Sequence, residues 1–272
     1  MSVTETARGT TERAGAPVLL RRDEAGIAWL TLNRPAQRNA LSAALMTALQ
    51  SEIDAIAGDR TIKVVVIGGA GSAFSAGHDL REMRANPTRD YYAERFQQSS
   101  KLMLSLVRLP KPVIASVRGI ATAAGCQLAA SCDLVVASEE ARFATPGVNI
   151  GLFCSTPMVP LSRAVGRKVA MEMLLTGDFI SAARAGEIGL VNRVVSAQTL
   201  DQEVAALAQK IAGKSALTLA IGKEAFYRQA ELPLADAYAY ASEVMTRNML
   251  ARDAEEGIDA FLEKRPPNWE DR

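Results

Sequence analysis

The stretch Val64-Val65-Val66-Ile67-Gly68-Gly69-Ala70-Gly71-Ser72-Ala73-Phe74-Ser75-Ala76-Gly77-His78-Asp79-Leu80 carries most of the fold information in this chain. Its first four residues are apolar at every position, as in a strand buried on both faces. Small residues follow, then a polar pair at the start of a helical pattern. Val113 to Val117 repeats the strand, and Ala121 to Ala130 follows it as a small-residue helix. Leu134-Val135-Val136 is a third apolar run. Strands that alternate with helices predict an α/β core with parallel pairing.

The flanks fit that reading. Val18 to Arg22 and Ile27 to Leu32 surround a charged turn at Gly26 and predict a β-hairpin. Ser42 is placed to cap a helix whose apolar face is Leu41, Leu45, Leu49, Ile53 and Ile56, with Gly58 as its stop. A long helix is predicted from about Asp90 to Leu109, ending before Pro110 and Pro112. From about Pro157 the pattern is nearly all helical: Leu200, Val204, Leu207 and Ile211 form a stripe ended by Gly213, Ser215 opens another helix, and the last runs from about Ala254 to Lys264. Thr156 before Pro157 predicts a helix cap with proline at the first helical position.

Composition excludes several function classes. A net charge of +1 argues against a nucleic-acid partner. Three cysteines without a Cys-x-x-Cys pair, beside a single histidine, argue against both a disulfide framework and a metal site. A Ser-His-Asp hydrolase is possible only with His78 as its base. The best membrane candidate, Gly119 to Cys132, is short of the ~20 apolar residues a spanning helix needs, so no membrane is expected. Met1 to Gly15 lacks an apolar segment and mixes Glu5 and Glu12 with Arg8 and Arg13, so residues 1–16 are expected to be a disordered tail. A cytoplasmic location is expected on the same ground.

Two small-residue turns invite a chemical reading. Gly69 to Phe74 places Phe74 where a dinucleotide-binding loop needs its third glycine, and no P-loop lysine follows. Ala76-Gly77-His78-Asp79 and Ala121-Thr122-Ala123-Ala124-Gly125-Cys126-Gln127 both turn from strand to helix. On neighbouring parallel strands they could aim two backbone N–H groups at one oxygen, as an oxyanion hole does. The same residues would equally serve close packing of helix on sheet. His78 is open to a structural role or to general acid–base work. Cys154 sits in an apolar context that suits a small hydrophobe.

Taken in order, these pieces resemble the crotonase family, also called the enoyl-CoA hydratase/isomerase family. The resemblance runs through Leu32-Asn33-Arg34-Pro35, Arg38-Asn39-Ala40-Leu41-Ser42, Phe74 to Leu80, Pro112 to Ala115, Gly125, Ser131-Cys132-Asp133 and Gly257 to Arg265. It spans about Val18 to Arg265. Ala121 to Leu128 and Phe143 to Asn149 look like one subgroup within the family.

The resemblance implies a spiral of ββα units over residues 17–200 and a C-terminal helical trimerisation region over 201–272. It implies a homotrimer or a dimer of trimers. The implied ligand is an acyl-CoA thioester, with coenzyme A as part of the substrate and no separate cofactor or metal. The thioester oxygen would be held by the peptide N–H groups of His78 and Ala124. Coenzyme A contacts carry over to Ala36, Arg38, Ala40, Ala76, Asp79, Leu80 and Arg81, and to Phe261 and Lys264, often from the neighbouring subunit. The two glutamates that handle water in the family's hydratases correspond here to Gln127 and Gly147. A neutral amide can hold a water but cannot take its proton near pH 7. The expected activity is therefore enolate stabilisation, nominally hydratase or isomerase, with efficient water addition in doubt. Asp79, Tyr91, Tyr92 or the His78 ring would have to carry the proton. The alternatives are an acyl-CoA-binding pseudoenzyme or a decarboxylase, since loss of CO₂ forms an enolate without a base.

Overall fold

The computed structural model describes residues 15–272, so residues 1–14 of the expected tail lie outside it. Strands β1 (Leu19–Glu24) and β2 (Ile27–Leu32) form the predicted antiparallel hairpin. Ala25 and Gly26 at its tip both have positive φ, as a two-residue turn of this hand requires. Helix α1 (Ala43–Gly58) follows, and the Ser42 side chain accepts from Leu45 N, as expected for its cap.

Three successive units then repeat one pattern, a strand in each of two sheets followed by helix. The first is β3 (Val64–Gly69), β4 (Ala73–Ser75), α2 (Leu80–Ala85) and α3 (Arg89–Arg108). The second is β5 (Val113–Val117), β6 (Ile120–Thr122) and α4 (Ala124–Ser131). The third is β7 (Leu134–Ser138), β8 (Arg142–Ala144), a 3-10 turn at Pro146–Ile150, α5 (Met158–Ala164) and α6 (Arg167–Thr176). After β9 (Ile180–Ser181), α7 (Ala182–Glu187) and β10 (Arg193–Val195), the chain ends in helices α8 (Leu200–Ala212), α9 (Ala216–Gln229), α10 (Leu234–Met249) and α11 (Arg252–Leu262). The large sheet has the order β1-β2-β3-β5-β7-β10, and the small one β4-β6-β8-β9. This is the expected spiral of ββα units.

The unbroken apolar runs have a simple cause. Val65, Ile67, Val113, Ala115, Val117, Val135 and Ala137 enter the main core with α1, α3 and α4. Val64, Val66, Ile114 and Val136 face the other way and meet Leu200, Val204, Leu207 and Ala208 of α8. Successive strand side chains alternate faces, and here both faces are covered.

Local details depart from the sequence reading. The long helix is preceded by the separate, shorter α2. The small-residue helix starts only at Ala124, because Ile120–Thr122 is drawn into the small sheet. Thr156 does not cap: Pro157 takes the cap position of α5, no side chain bonds there, and Met158 N donates to Cys154 O at 2.9 Å. Two short strands, β9 and β10, interrupt the helical C-terminal half.

Helix α9 has no fully buried residue, and polar contacts anchor it. Lys223 Nζ donates to Asp133 Oδ2 at 2.6 Å and to the Leu106 and Lys111 carbonyls. Tyr227 donates its hydroxyl to Asp133 Oδ1 at 2.9 Å. Among the described residues no single helix is long and apolar enough to cross a membrane.

Candidate functional site

The loop between β2 and α1 organises the site. Arg38 and Asn39 both adopt left-handed backbone conformations, with φ of 50° and 53°. Asn39 tolerates this region better than most residues. Its buried side chain accepts from Arg34 N at 2.9 Å and donates to the carbonyls of Ala70 and Ala73 at 2.9 and 2.7 Å. Ser75 donates its hydroxyl to Asn39 O at 2.9 Å, and Ala76 N donates to Arg38 O at 2.9 Å. The loop is thereby stitched to the segment that carries His78.

That segment pairs with Leu41 in a parallel bridge. Leu41 N donates to Gly77 O at 2.7 Å, and Asp79 N donates to Leu41 O at 3.3 Å. Successive groups of an extended chain point to opposite sides, so the His78 N–H is turned away from Leu41. The other neighbour is the turn before α4. A β-carbon on Gly77 would stand 2.9 Å from Ala123 Cβ, 3.0 Å from Thr122 O and 3.2 Å from Ala124 N. Gly77 also has a φ of +93°, so both geometry and space demand glycine there.

Ala123 takes φ 49° and ψ −120°, which a residue with a β-carbon adopts at a cost of about 1–3 kcal/mol. Its N–H donates to Ala144 O at 3.0 Å, and its carbonyl receives Gln127 N at 2.9 Å. Ala124 is thus the first residue of α4. Neither the His78 N–H nor the Ala124 N–H finds an acceptor among the described residues. Two abutting turns carry the two free donors, and a helix N-terminus lies behind one of them.

The remaining residues divide by what they can do. Asp79 caps α2 by accepting from Arg81 N and Glu82 N, and it pairs with Arg34 Nη2 at 2.9 Å. Burial pushes its carboxyl up, but the Arg34 bond and the two amides outweigh that and hold it below the usual range. The His78 ring meets Phe96 edge-on at 5.5 Å, and its buried Nε2 has no partner among the described residues. Burial holds the imidazole below its ordinary value, against the opposing pull of the Leu41 backbone and Glu82. Among the described residues no serine or aspartate bonds to the ring, so they form no Ser-His-Asp arrangement. Tyr91 donates its hydroxyl to Glu82 at 2.7 Å, and Glu82 also accepts from Ala43 N at 3.1 Å.

Gln127 is 3% exposed, and its Oε1 has no partner among the described residues. Gly147 lies just beyond β8, whose Ala144 receives the Ala123 N–H. A β-carbon on Gly147 would overlap the Leu152 carbonyl oxygen and stand 2.9 Å from Cys154 Sγ. Burial raises the Cys154 thiol, and raises Cys126 to about 12, so both remain protonated near neutrality.

Of the positions expected to line a ligand, Ala40, Ala76, His78, Asp79 and Ala124 come together across these turns. Leu80 and Arg81, at the start of α2, are exposed, as are Ala36 and Arg38. Arg38, Arg81 and Lys264 make no ion pair among the described residues. Phe261 and Lys264 stand exposed at the end of α11 and share no hydrogen bond with the Arg38 loop. Sequence reasoning gave no role to Arg34, Asn39 or Glu82. Asparagine three residues before a helix cap was the one available signal.

Residues 22–272 match the family model described as enoyl-CoA hydratase/isomerase. The chain is 50% identical over 253 residues to enoyl-CoA hydratase domain-containing protein 3, mitochondrial, of Xenopus laevis, covering 93% of this chain and 86% of that one. A crystal structure of an enoyl-CoA hydratase from Mycobacterium smegmatis superposes with a TM-score of 0.91 at 54% identity, covering 93% of this chain and 99% of that one. The human enoyl-coenzyme A hydratase domain-containing protein 3 gives a TM-score of 0.90 at 49% identity, covering 93% of this chain and all of that one. The subgroup resemblance therefore holds. The cytoplasmic expectation does not: the Xenopus, rat and human relatives are named mitochondrial. Compartment is set by address signals that receptors read, so the composition of a folded chain is a poor guide to it.

Proposed function

Because the chain belongs to the enoyl-CoA hydratase/isomerase family, we propose that it binds an acyl-CoA thioester and holds the thioester oxygen between the peptide N–H groups of His78 and Ala124. The observation that carries this reading is the pair of acceptor-free donors on abutting turns. Negative charge that develops on the oxygen as an enolate forms would meet two fixed donors and the N-terminus of α4. Neither donor needs to reorganise during the reaction.

Coenzyme A enters as part of the substrate, and no other cofactor is required. Arg38 and Arg81, which make no ion pair among the described residues, offer their guanidinium groups to its phosphates. Ala36, Ala40, Ala76 and Leu80 supply small or apolar contacts beside them. Phe261 and Lys264 serve the site of a neighbouring copy in a homotrimer or dimer of trimers. The apolar side chains exposed on α10 and α11, among them Leu234, Tyr238, Met245, Met249 and Leu262, support such an assembly.

Proton handling limits the chemistry. Gln127 is neutral, Gly147 has no side chain, and Asp79 is engaged by Arg34 and the α2 amides. Each missing acid–base role costs ~10²–10⁴-fold in rate. The proton carriers left near the donors are the neutral His78 ring and the Glu82–Tyr91 pair. The absence of a carboxylate at 127 and 147 also favours a second reading, binding without turnover or decarboxylation of an acyl thioester.

A mass-spectrometric screen of acyl-CoA thioesters tests both. Retention of thioesters is expected, with crotonyl-CoA hydrated far more slowly than by hydratases that carry both glutamates. Full hydratase turnover would overturn the reading of Gln127 and Gly147, and failure to retain any thioester would overturn the acyl-CoA assignment.

A further inference from the structure

Residues 266–272 run back along α11 as a strap. Asp253, Glu256 and Gly257 share one face of that helix, being three and four positions apart. Asp253 is 2% exposed, and its carboxylate accepts from Glu270 N at 2.7 Å and Asp271 N at 3.0 Å. Glu256 is buried too, and accepts from the Arg265 guanidinium through both oxygens, at 2.6 and 3.0 Å, and from Asn268 N at 2.8 Å. The Trp269 ring lies against Gly257, where a β-carbon would stand 3.1 Å from two of its carbons. Trp269 Nε1 donates to Gly213 O at 3.0 Å. Asp271 accepts from Ala216 N at 2.7 Å and pairs with Lys63 at 3.1 Å. The strap thus fastens α11 to the turn between α8 and α9 and to the residue before β3.

Lys264 stands where the strap begins, and it has a φ of 55°. A residue with a β-carbon keeps such a conformation only where its surroundings fix it. Arg265 does so: its N–H donates to Ala260 O at 3.0 Å, and Glu256 holds its guanidinium. Arg265 and the Asn268 N–H keep the Glu256 carboxyl down at about 2, so the clamp stays charged near neutrality. Phe261 and Lys264 remain exposed, and Lys264 makes no ion pair among the described residues. A group whose backbone is already fixed loses less freedom on binding. We propose that Glu256 and Trp269 are positioning residues: through the strap they hold Lys264 and Phe261 ready for the phosphate-bearing part of coenzyme A in a neighbouring copy's site. The inference rests on the reading above that Phe261 and Lys264 reach coenzyme A.

Titration calorimetry of the full chain with butyryl-CoA and with S-butyryl-pantetheine, which lacks the nucleotide, tests it. The wild type is expected to bind the coenzyme A ester more tightly. Glu256→Gln and Trp269→Leu are each expected to cut that ratio by about three- to tenfold, as Lys264→Ala does, because an unfixed side chain must be ordered on binding. A purely structural role would weaken both esters alike and leave the ratio unchanged. An unchanged ratio in the folded Glu256 and Trp269 variants, with a reduced one in Lys264→Ala, overturns the proposal. If Lys264→Ala itself leaves the ratio unchanged, or the wild type binds neither ester, the coenzyme A reading of Lys264 fails and this inference falls with it.

Discussion

The Cys154 sulfur stands 2.9 Å from the point a β-carbon on Gly147 would occupy, and the Leu152 carbonyl oxygen overlaps that point. The position is therefore closed to any side chain, not merely vacant. Gly147→Ala is expected to destabilise the protein by about 1–3 kcal/mol, the usual cost of overpacking, measured as a lower urea midpoint. Gly147→Glu is expected to add no crotonyl-CoA hydration to that of Gln127→Glu alone. A tenfold or larger gain in the double variant would show that the loop opens to accept the carboxylate.

Backbone donors survive side-chain substitution, and that separates two variants. His78→Ala keeps the peptide N–H, whereas Ala124→Pro removes one at the first helical position, where proline suits the helix. Ala124→Pro is expected to cost about 10²–10³-fold in any enolate-forming rate. His78→Ala should cost much less. Equal losses in both would assign the imidazole a part in the reaction.

His78 is the only histidine in the chain, so its titration can be followed alone. Burial holds the folded-state value below the ordinary 6.5. Between the folded and unfolded values the unfolded chain binds more protons, so stability is lost as pH falls below about 6.5. Urea midpoints at pH 7.5, 6.5 and 5.5 should fall for the wild type and fall less for His78→Asn. A proton NMR titration of the ring should give a midpoint under 6.5; a midpoint above it would refute the burial argument.

Asp133 receives Lys223 Nζ at 2.6 Å, the Tyr227 hydroxyl at 2.9 Å and Val113 N at 2.7 Å. Lys223 and Asp133 are only 7% and 17% exposed as side chains. Removing one member of such a pair strands the other, at a cost of about 3–5 kcal/mol. Lys223→Met is expected to lower the thermal midpoint and to speed amide hydrogen exchange in α9 before the sheet is affected. Unchanged exchange in α9 would mean that its other contacts hold it.

Much of this architecture was legible in the chain. Val64 to Ile67 announces a strand covered on both faces, because each side of a strand is read at alternate residues. Leu41, Leu45, Leu49, Ile53 and Ile56 mark one face of α1 for the same local reason. Ser42 and Ser215 cap as their chemistry requires, each accepting from the N–H three residues on. Thr156 misleads, because residues 154 to 157 already form a turn and the helix begins beyond it.

The two small-residue turns could be found in the sequence, but not that they abut. That follows from parallel pairing of β4 with β6, which brings residues nearly fifty apart into contact. Likewise Asn39, Arg34 and Glu82 owe their positioning roles to partners on other elements. The sequence by itself determined the buried faces, the caps and the absence of carboxylates at positions 127 and 147, since these depend on residue type and short-range spacing. Only the tertiary structure decided which N–H groups remain without acceptors, that Asp79 is held by Arg34, and that the space at Gly147 is filled. Those depend on where distant backbone segments cross, and no local pattern encodes such a crossing.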